Sequence, residues 1–282
     1  MRNLHRELAP ISDAAWAQIE AEVARTFKRS VAGRRVVDVE GPKGATLGAV
    51  GTGHLRAIDS PEQGVGARLR EARALVELTV PFELQRDAID DVERGAEDSD
   101  WQPAKDAAKA LAFAEDRAIF DGYAAAGIVG IRPASSNAPV ALPTDVDDYP
   151  TAISNALEAL RLAGVDGPYS VLLGADAYTA LAEARDQGYP VIEHLRRIVN
   201  GKIIWAPAIQ GGSVLSTRGG DYELHLGEDL SIGYLNHTDT RVRLYLRVTF
   251  TFLMLTSEAS VPLALSATGS TTASATAPKA AG

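Results

Sequence analysis

Arg241-Val242-Arg243-Leu244-Tyr245-Leu246-Arg247-Val248-Thr249-Phe250-Thr251-Phe252 alternates apolar and non-apolar residues without a break. Strand side chains repeat every two residues, so the Val, Leu and Phe positions share one face and the Arg, Tyr and Thr positions the other. The spacing predicts a single strand about 40 Å long at ~3.3 Å per residue, roughly twice the usual length. A strand of that length runs through an elongated body, a shape that suits a building block better than a compact enzyme.

The same alternation occurs upstream at Val76, Leu78, Val80, Phe82 and Leu84, which predicts a second strand, followed by an acidic helical piece over residues 88–94. Residues 45–74 lie before it and are poor in large apolar side chains and rich in Gly, with a turn cluster at Asp59-Ser60-Pro61-Glu62-Gln63-Gly64. Two extended arms joined at that turn form a ribbon with too little apolar surface to stand alone. Such an arm must lean on something. Arg56, Arg68, Arg70 and Arg73 read as solvated charges, or as pairing groups for a neighbouring subunit.

Near the N-terminus, Ser12 or Asp13 can cap a helix with apolar positions Trp16, Ile19, Val23 and Phe27, ending near Gly33. A strand-like run, Val36, Val37, Asp38 and Val39, follows. Asp100 and Pro103 start a long helix that should reach Ala126. Residues 131–222 alternate short helices and strands, with helices at Ile153, Leu157 and Leu160 and over 175–183, and strands over 170–173 and 202–205. This reads as an inserted α/β domain. Arg218-Gly219-Gly220-Asp221 is a hairpin signal that returns the chain to alternation at Tyr222, Leu224 and Leu226. Residues 266–282 hold only Ser, Ala, Thr, Gly, Pro and one Lys, so a disordered tail is expected.

Composition excludes several functions. At 282 residues and 46% hydrophobic content the chain can bury a substantial core as one or two domains. A net charge of −9 argues against wrapping nucleic acid, which needs clustered cations. With no cysteine, disulfides, thiol nucleophiles and zinc-thiolate sites drop out. Residues 1–10 form no signal peptide and no segment has eighteen consecutive apolar residues, so no membrane partner and a cytoplasmic location are expected.

No catalytic constellation emerges either. His5, His54, His194, His225 and His237 stand apart from one another in the sequence, without metal-ligand spacing. The glycines over 48–53 and 64–66 lack a dinucleotide or P-loop pattern, and Asp87, Asp90, Asp91, Glu93, Glu97, Asp98 and Asp100 lack calcium-loop spacing. A structural, non-enzymatic role with neither catalytic nor metal site fits these absences.

Several segments carry a resemblance. Asn3-Leu4-His5-Arg6-Glu7-Leu8-Ala9-Pro10, Gly33-Arg34-Arg35-Val36-Val37-Asp38, Ile89-Asp90-Asp91-Val92-Glu93-Arg94-Gly95, Ile204-Trp205-Ala206-Pro207-Ala208 and Asp229-Leu230-Ser231-Ile232-Gly233-Tyr234 resemble encapsulin shell proteins, closest to the actinobacterial, linocin-type ones. The likeness spans roughly residues 1–264 and not the tail. It implies an α+β, tailed-phage major capsid (Hong Kong 97-like) fold. On that plan residues 1–46 hold the N-terminal helix and the start of a peripheral domain, 47–74 an extended loop and 75–130 the spine helix. Residues 131–222 are then an axial domain, 223–265 the long strands of the peripheral domain and 266–282 the tail.

The resemblance further implies a self-assembled icosahedral cage of roughly sixty copies. Such cages enclose a cargo enzyme, typically a dye-decolorising peroxidase or a ferritin-like protein, held by its C-terminal peptide. In the dock so implied, Phe27, Val31, Val36, Leu230, Ile232 and Tyr234 supply apolar pockets, while Arg34 and Asp38 fix peptide polarity. The alternative makes the same six apolar residues ordinary core. Asp186, Gln187, Gly188, Tyr189 and Pro190 would line a pore at the five-fold axis. Some relatives hold a flavin on an aromatic early in the acidic helix, but Gln85-Arg86-Asp87-Ala88 has none, so no cofactor is expected. The alternative is a phage-derived capsid protein that packages DNA; the acidic balance and the missing scaffolding segment favour the cage.

Overall fold

The computed structural model describes residues 4–186 and 188–265; the expected disordered tail at 266–282 lies outside them. Ser12, rather than Asp13, caps α1 (Asp13–Ser30), its hydroxyl accepting from the Ala15 N–H at 3.3 Å. The stripe Trp16, Ile19, Val23 and Phe27 is buried. The helix stops at Ser30, short of Gly33, and a separate 3-10 turn covers Gly33–Arg35. Asp116 holds that turn in place, its carboxylate accepting the Ala32 and Gly33 N–H groups at 2.8 Å each. The Val36 and Val37 N–H groups bond back to the Gly33 carbonyl, so the expected strand starts only at β1 (Asp38–Glu40).

Strands β2 (Ala49–Ile58) and β3 (Ala67–Ala74) pair only with each other, and almost all their residues are exposed. The chain then enters β4 (Val76–Gln85), α2 (Arg86–Glu93) and α3 (Gln102–Phe120). Helix α3 ends six residues before the expected Ala126. Gly122 there adopts φ +89° and Gly130 packs directly on it, so close that a Cβ on Gly130 would lie 2.3 Å from the Gly122 nitrogen.

The middle of the chain supplies α4 (Ile131–Ala134), β5 (Val140–Leu142), α5 (Tyr149–Leu162), β6 (Tyr169–Leu173) and α6 (Ala175–Glu183). Next come β7 (Arg185–Asp186), β8 (Tyr189–Pro190), α7 (Val191–Val199), β9 (Ile203–Trp205) and β10 (Gly212–Ser216). The last strands are β11 (Tyr222–Leu226), β12 (Ser231–His237), β13 (Arg241–Met254) and β14 (Ser260–Leu265).

Two five-stranded sheets result. One runs β1-β11-β13-β12 with β4 also on β13; the other runs β5-β14-β10-β6-β9. This corrects two expectations. Residues 218–221 do not make a hairpin, because β10 and β11 belong to different sheets; Asp221 grips Arg218 through two 3.0 Å bonds while Gly219 and Gly220, at φ +89° and +79°, redirect the chain. Nor does the whole of 223–265 stay with the long strands. After a 3-10 turn at Ser257–Ala259, β14 crosses to the second sheet, where its inner face (Val261, Leu263) is buried.

Strand β13 is two residues longer than its alternation predicted, and its even-numbered face packs under α3 with Val242, Leu244, Leu246, Val248 and Phe250 fully buried. Its odd-numbered face is partly covered as well. Tyr245, Arg247 and Thr251 are buried on it. Arg247 meets Glu228 at 2.7 Å and Glu77 at 3.7 Å there, so a buried charge is paired.

Candidate docking groove and pore loop

Helix α1 and strand β12 face each other across a hollow of about 250 Å³ lined by Glu20, Val23, Ala24, Leu230, Ser231 and Ile232. Positions 20, 23, 24 and 27 fall at helical spacings of three and four, so one turn-by-turn stripe of α1 faces this hollow and the core beneath it. Arg6 closes one end. Its guanidinium sits 4.2 Å from the centre of the Trp16 ring and 2.6 Å from the Glu20 carboxylate. The opposite wall, β12, is an edge strand, hydrogen-bonded to β13 on one side alone. It bulges between Tyr234 and Asn236 and leaves Leu235 exposed.

Of the eight expected dock residues, Phe27, Val31, Val36 and Ile232 are buried, while Leu230 and Tyr234 are only partly covered against the same core. Ile232 and Leu230 border the hollow; Phe27, Val31 and Val36 do not, and act as core. The Tyr234 hydroxyl is 2.6 Å from His237 Nδ1.

The two charged residues are both engaged within the chain. Arg34 donates Nε and Nη2 to the two Glu115 oxygens at 2.6 and 2.8 Å, donates Nη1 to Asp229 at 2.7 Å, and lies 4.9 Å from the Phe27 ring centre. Burial works against its charge, yet the Glu115 and Asp229 carboxylates hold its pKa above the ordinary value. Glu115 is fully buried, and burial raises its pKa against the pull of Arg34. Its neighbour Asp116 is pushed up to about 7 by burial, opposed by the N–H bonds from Gly33 and Ala32. Asp38 accepts the Gly220 N–H at 2.6 Å and borders a different, smaller hollow with Val36, Val37 and Gly219. A charge in a strand-like run did signal a partner, but that partner is a backbone N–H 182 residues away.

Sequence reasoning missed Glu20 and Arg6 as groove residues. The available signal was a carboxylate on the apolar stripe of α1 three residues before Val23.

Strands β7 and β8 form a tight hairpin in which Asp186 pairs with Tyr189 and Arg185 with Pro190. Gly188 has φ +86°, a conformation that favours glycine, and Gln187 lies outside the described residues. Tyr189 is half exposed, with its hydroxyl accepting from Arg197 at 2.9 Å, so α7 braces the loop. Among the described residues no cluster of three or more His, Cys, Asp or Glu is placed to hold a metal, and no helix is long and apolar enough to cross a membrane.

Comparison with known proteins is consistent across most of the chain. Residues 1–251 match the family Linocin_M18, described as "Encapsulating protein for peroxidase". The chain is 64% identical to the type 1 encapsulin shell protein of Rhodococcus erythropolis over 94% of its own length and all of the relative's. It is 61% identical to that of Mycobacterium tuberculosis over 93% of the chain and 99% of the relative. Among solved structures, a virus-like particle from Pyrococcus furiosus superimposes with a TM-score of 0.60 at 16% identity, covering 88% of this chain and 98% of that one. A gene-transfer-agent capsid protein superimposes at 0.52 and 13% identity, covering 84% and 90%. These distant structures share the capsid fold.

Proposed function

Because the chain belongs to the encapsulin shell-protein family, a family of cage-forming structural proteins rather than enzymes, we propose that about sixty copies close into an icosahedral compartment in the cytoplasm. The compartment encloses an enzyme whose C-terminal peptide seats between α1 and β12. Dye-decolorising peroxidases and ferritin-like proteins are the cargo classes this reading favours.

One observation carries the docking site: a hollow with an apolar floor, Val23 and Ile232, open beside an edge strand. An extended apolar peptide suits both features, since side chains can fill the floor while its backbone runs along β12. Arg34 and Asp38 then act indirectly, by fixing the turn after α1 and the turn at 219–220.

Ala24 is exposed and borders the hollow, so Ala24→Arg fills it without disturbing the core. Co-expressed with a peptide-tagged reporter, this variant should form intact particles with loading reduced at least tenfold, about 1.4 kcal/mol of affinity. Unchanged loading would put the dock elsewhere. The loop at 186–190 is proposed to ring the five-fold opening, and Tyr189→Gly, freed from Arg197, should speed the entry of small substrates into intact particles. Equal entry rates would assign the traffic to another opening.

A further inference from the structure

Two hollows lie along α1, and Arg6 borders both. One is the docking hollow of about 250 Å³. The other, of about 500 Å³, is lined by Ala9, Ile11 and Trp16 together with the carboxylates of Glu7 and Asp13. The two hollows share Arg6 and Glu20, the partners of a single ion pair. What divides them is therefore one side-chain contact rather than packed core.

Along the helix, Asp13, Trp16, Ala17 and Glu20 border the larger hollow, and Glu20, Val23 and Ala24 border the docking one. Spacings of three and four place them all on one stripe of α1. From position 20 to 24 that stripe measures about 6 Å, and from 13 to 24 about 17 Å. An extended chain at ~3.3 Å per residue fits about two residues in the shorter length and about five in the longer. Arg6 thus sets how far a peptide can run along α1.

Arg6 is held loosely. Its side chain is 33% exposed and that of Glu20 48%, and an ion pair so open to water stabilises little. The segment around it has its own anchors, Leu4, which is 7% exposed, and Ala9, which packs on the core. The guanidinium can leave Glu20 without unseating the backbone. Charge in the larger hollow is also unbalanced, because Glu7 and Asp13 have no ion-pair partner among the described residues and Arg6 is the cation that faces them. Arg6 itself shows what the place accepts: a guanidinium 4.2 Å from the Trp16 ring centre and 2.6 Å from the Glu20 carboxylate.

We propose that Arg6 is a displaceable latch on the groove. A docked peptide that carries Arg or Lys beyond its apolar part takes over Trp16 and Glu20, sends Arg6 into water, and continues into the larger hollow beside Glu7 and Asp13. The latch rests on the docking reading above and adds to it a preference for a basic end.

Reporters fused to a C-terminal tail of alternating Leu and Gly, ending either in paired Arg or in paired Ser, test the latch through the amount loaded per particle on co-expression. The parent should load the Arg tail about fivefold better than the Ser tail, the scale of one exposed ion pair. Arg6→Ala removes the latch, so both tails should gain, while Arg6→Lys keeps the cation and should load as the parent does. Glu20→Gln breaks the same pair from the other side; the Ser tail should gain and the preference for Arg should narrow, a result that carries the test alone should Arg6→Ala not assemble. Equal loading of the two tails by the parent, or no gain for the Ser tail in either variant, would overturn the latch. Ala24→Arg separates the two readings: if it abolishes loading while the parent treats both tails alike, the dock stands and the latch falls, and if it changes nothing, both fall.

Discussion

Strand β13 and the β2–β3 ribbon are both long and antiparallel, yet they differ in what covers them. The first has paired strands on both edges, α3 on one face and a buried ion pair on the other. The second has one hydrogen-bonded edge per strand and solvent on nearly every residue. Length and backbone pairing are therefore not what stabilises a strand here; burial of its side chains is. The ribbon gains little from burial within this chain.

The contrast breaks first at its most buried point. Phe250 of β13 is fully buried, and Phe250→Ala should cost about 3–5 kcal/mol, measured by denaturant unfolding. A loss below about 1 kcal/mol would mean that β13 is no better packed than the ribbon. Phe27→Ala belongs in the same class, because Phe27 is core: it should lower stability along with any effect on cargo.

A second test uses Asp116. Its folded pKa of about 7 lies above the ordinary 3.8, so the stability it contributes is fully present below about pH 3.8 and is lost as pH rises through 7. The effect is a few kcal/mol at most, each tenfold change in proton affinity being worth about 1.4 kcal/mol. Between pH 5 and pH 8 the parent should lose melting temperature that Asp116→Asn retains. Parallel pH profiles would show that the carboxylate is ionised throughout.

Gly233 sharpens the comparison further, because a Cβ there would fall 2.1 Å from the Tyr245 ring on the neighbouring strand. Gly233→Ala should cost about 1–3 kcal/mol, whereas Gly51→Ala in the ribbon meets nothing within 4 Å and should cost little. Equal melting temperatures for the two would remove the distinction. The smallest expected effect is Leu69→Ala at the ribbon's exposed face, within about 0.5 kcal/mol for the separated subunit. The same change should reduce particle yield, and unchanged yield would mean that this face stays bare in the assembly.

Local pattern was enough to find β13, β4, α1, α5 and α6, because each carries its own periodicity. What escaped it depends on partners distant in the chain. Arg34 meets Glu115 and Asp229 across 81 and 195 residues, and no spacing in the sequence marks either. The turn at 218–221 has hairpin chemistry, yet which sheet each flanking strand joins is decided by β14 and β1, far away on either side. The burial of Arg247 was hidden for a similar reason: alternation shows that a strand has two faces and is silent on whether both are covered. Of the residues that line the candidate groove, Ile232 and Leu230 were named through family resemblance, while Glu20 required seeing β12 opposite α1.

The position of β14 also has a meaning in time. Strand β5 has β14 as its one neighbour in the second sheet, with Val140 opposite Leu263, and β10 leans on the same strand. Strand β5 is made well before residue 260, so it waits for the later strand that completes its sheet. A chain that stops before β14 consequently leaves the second sheet open between β5 and β10.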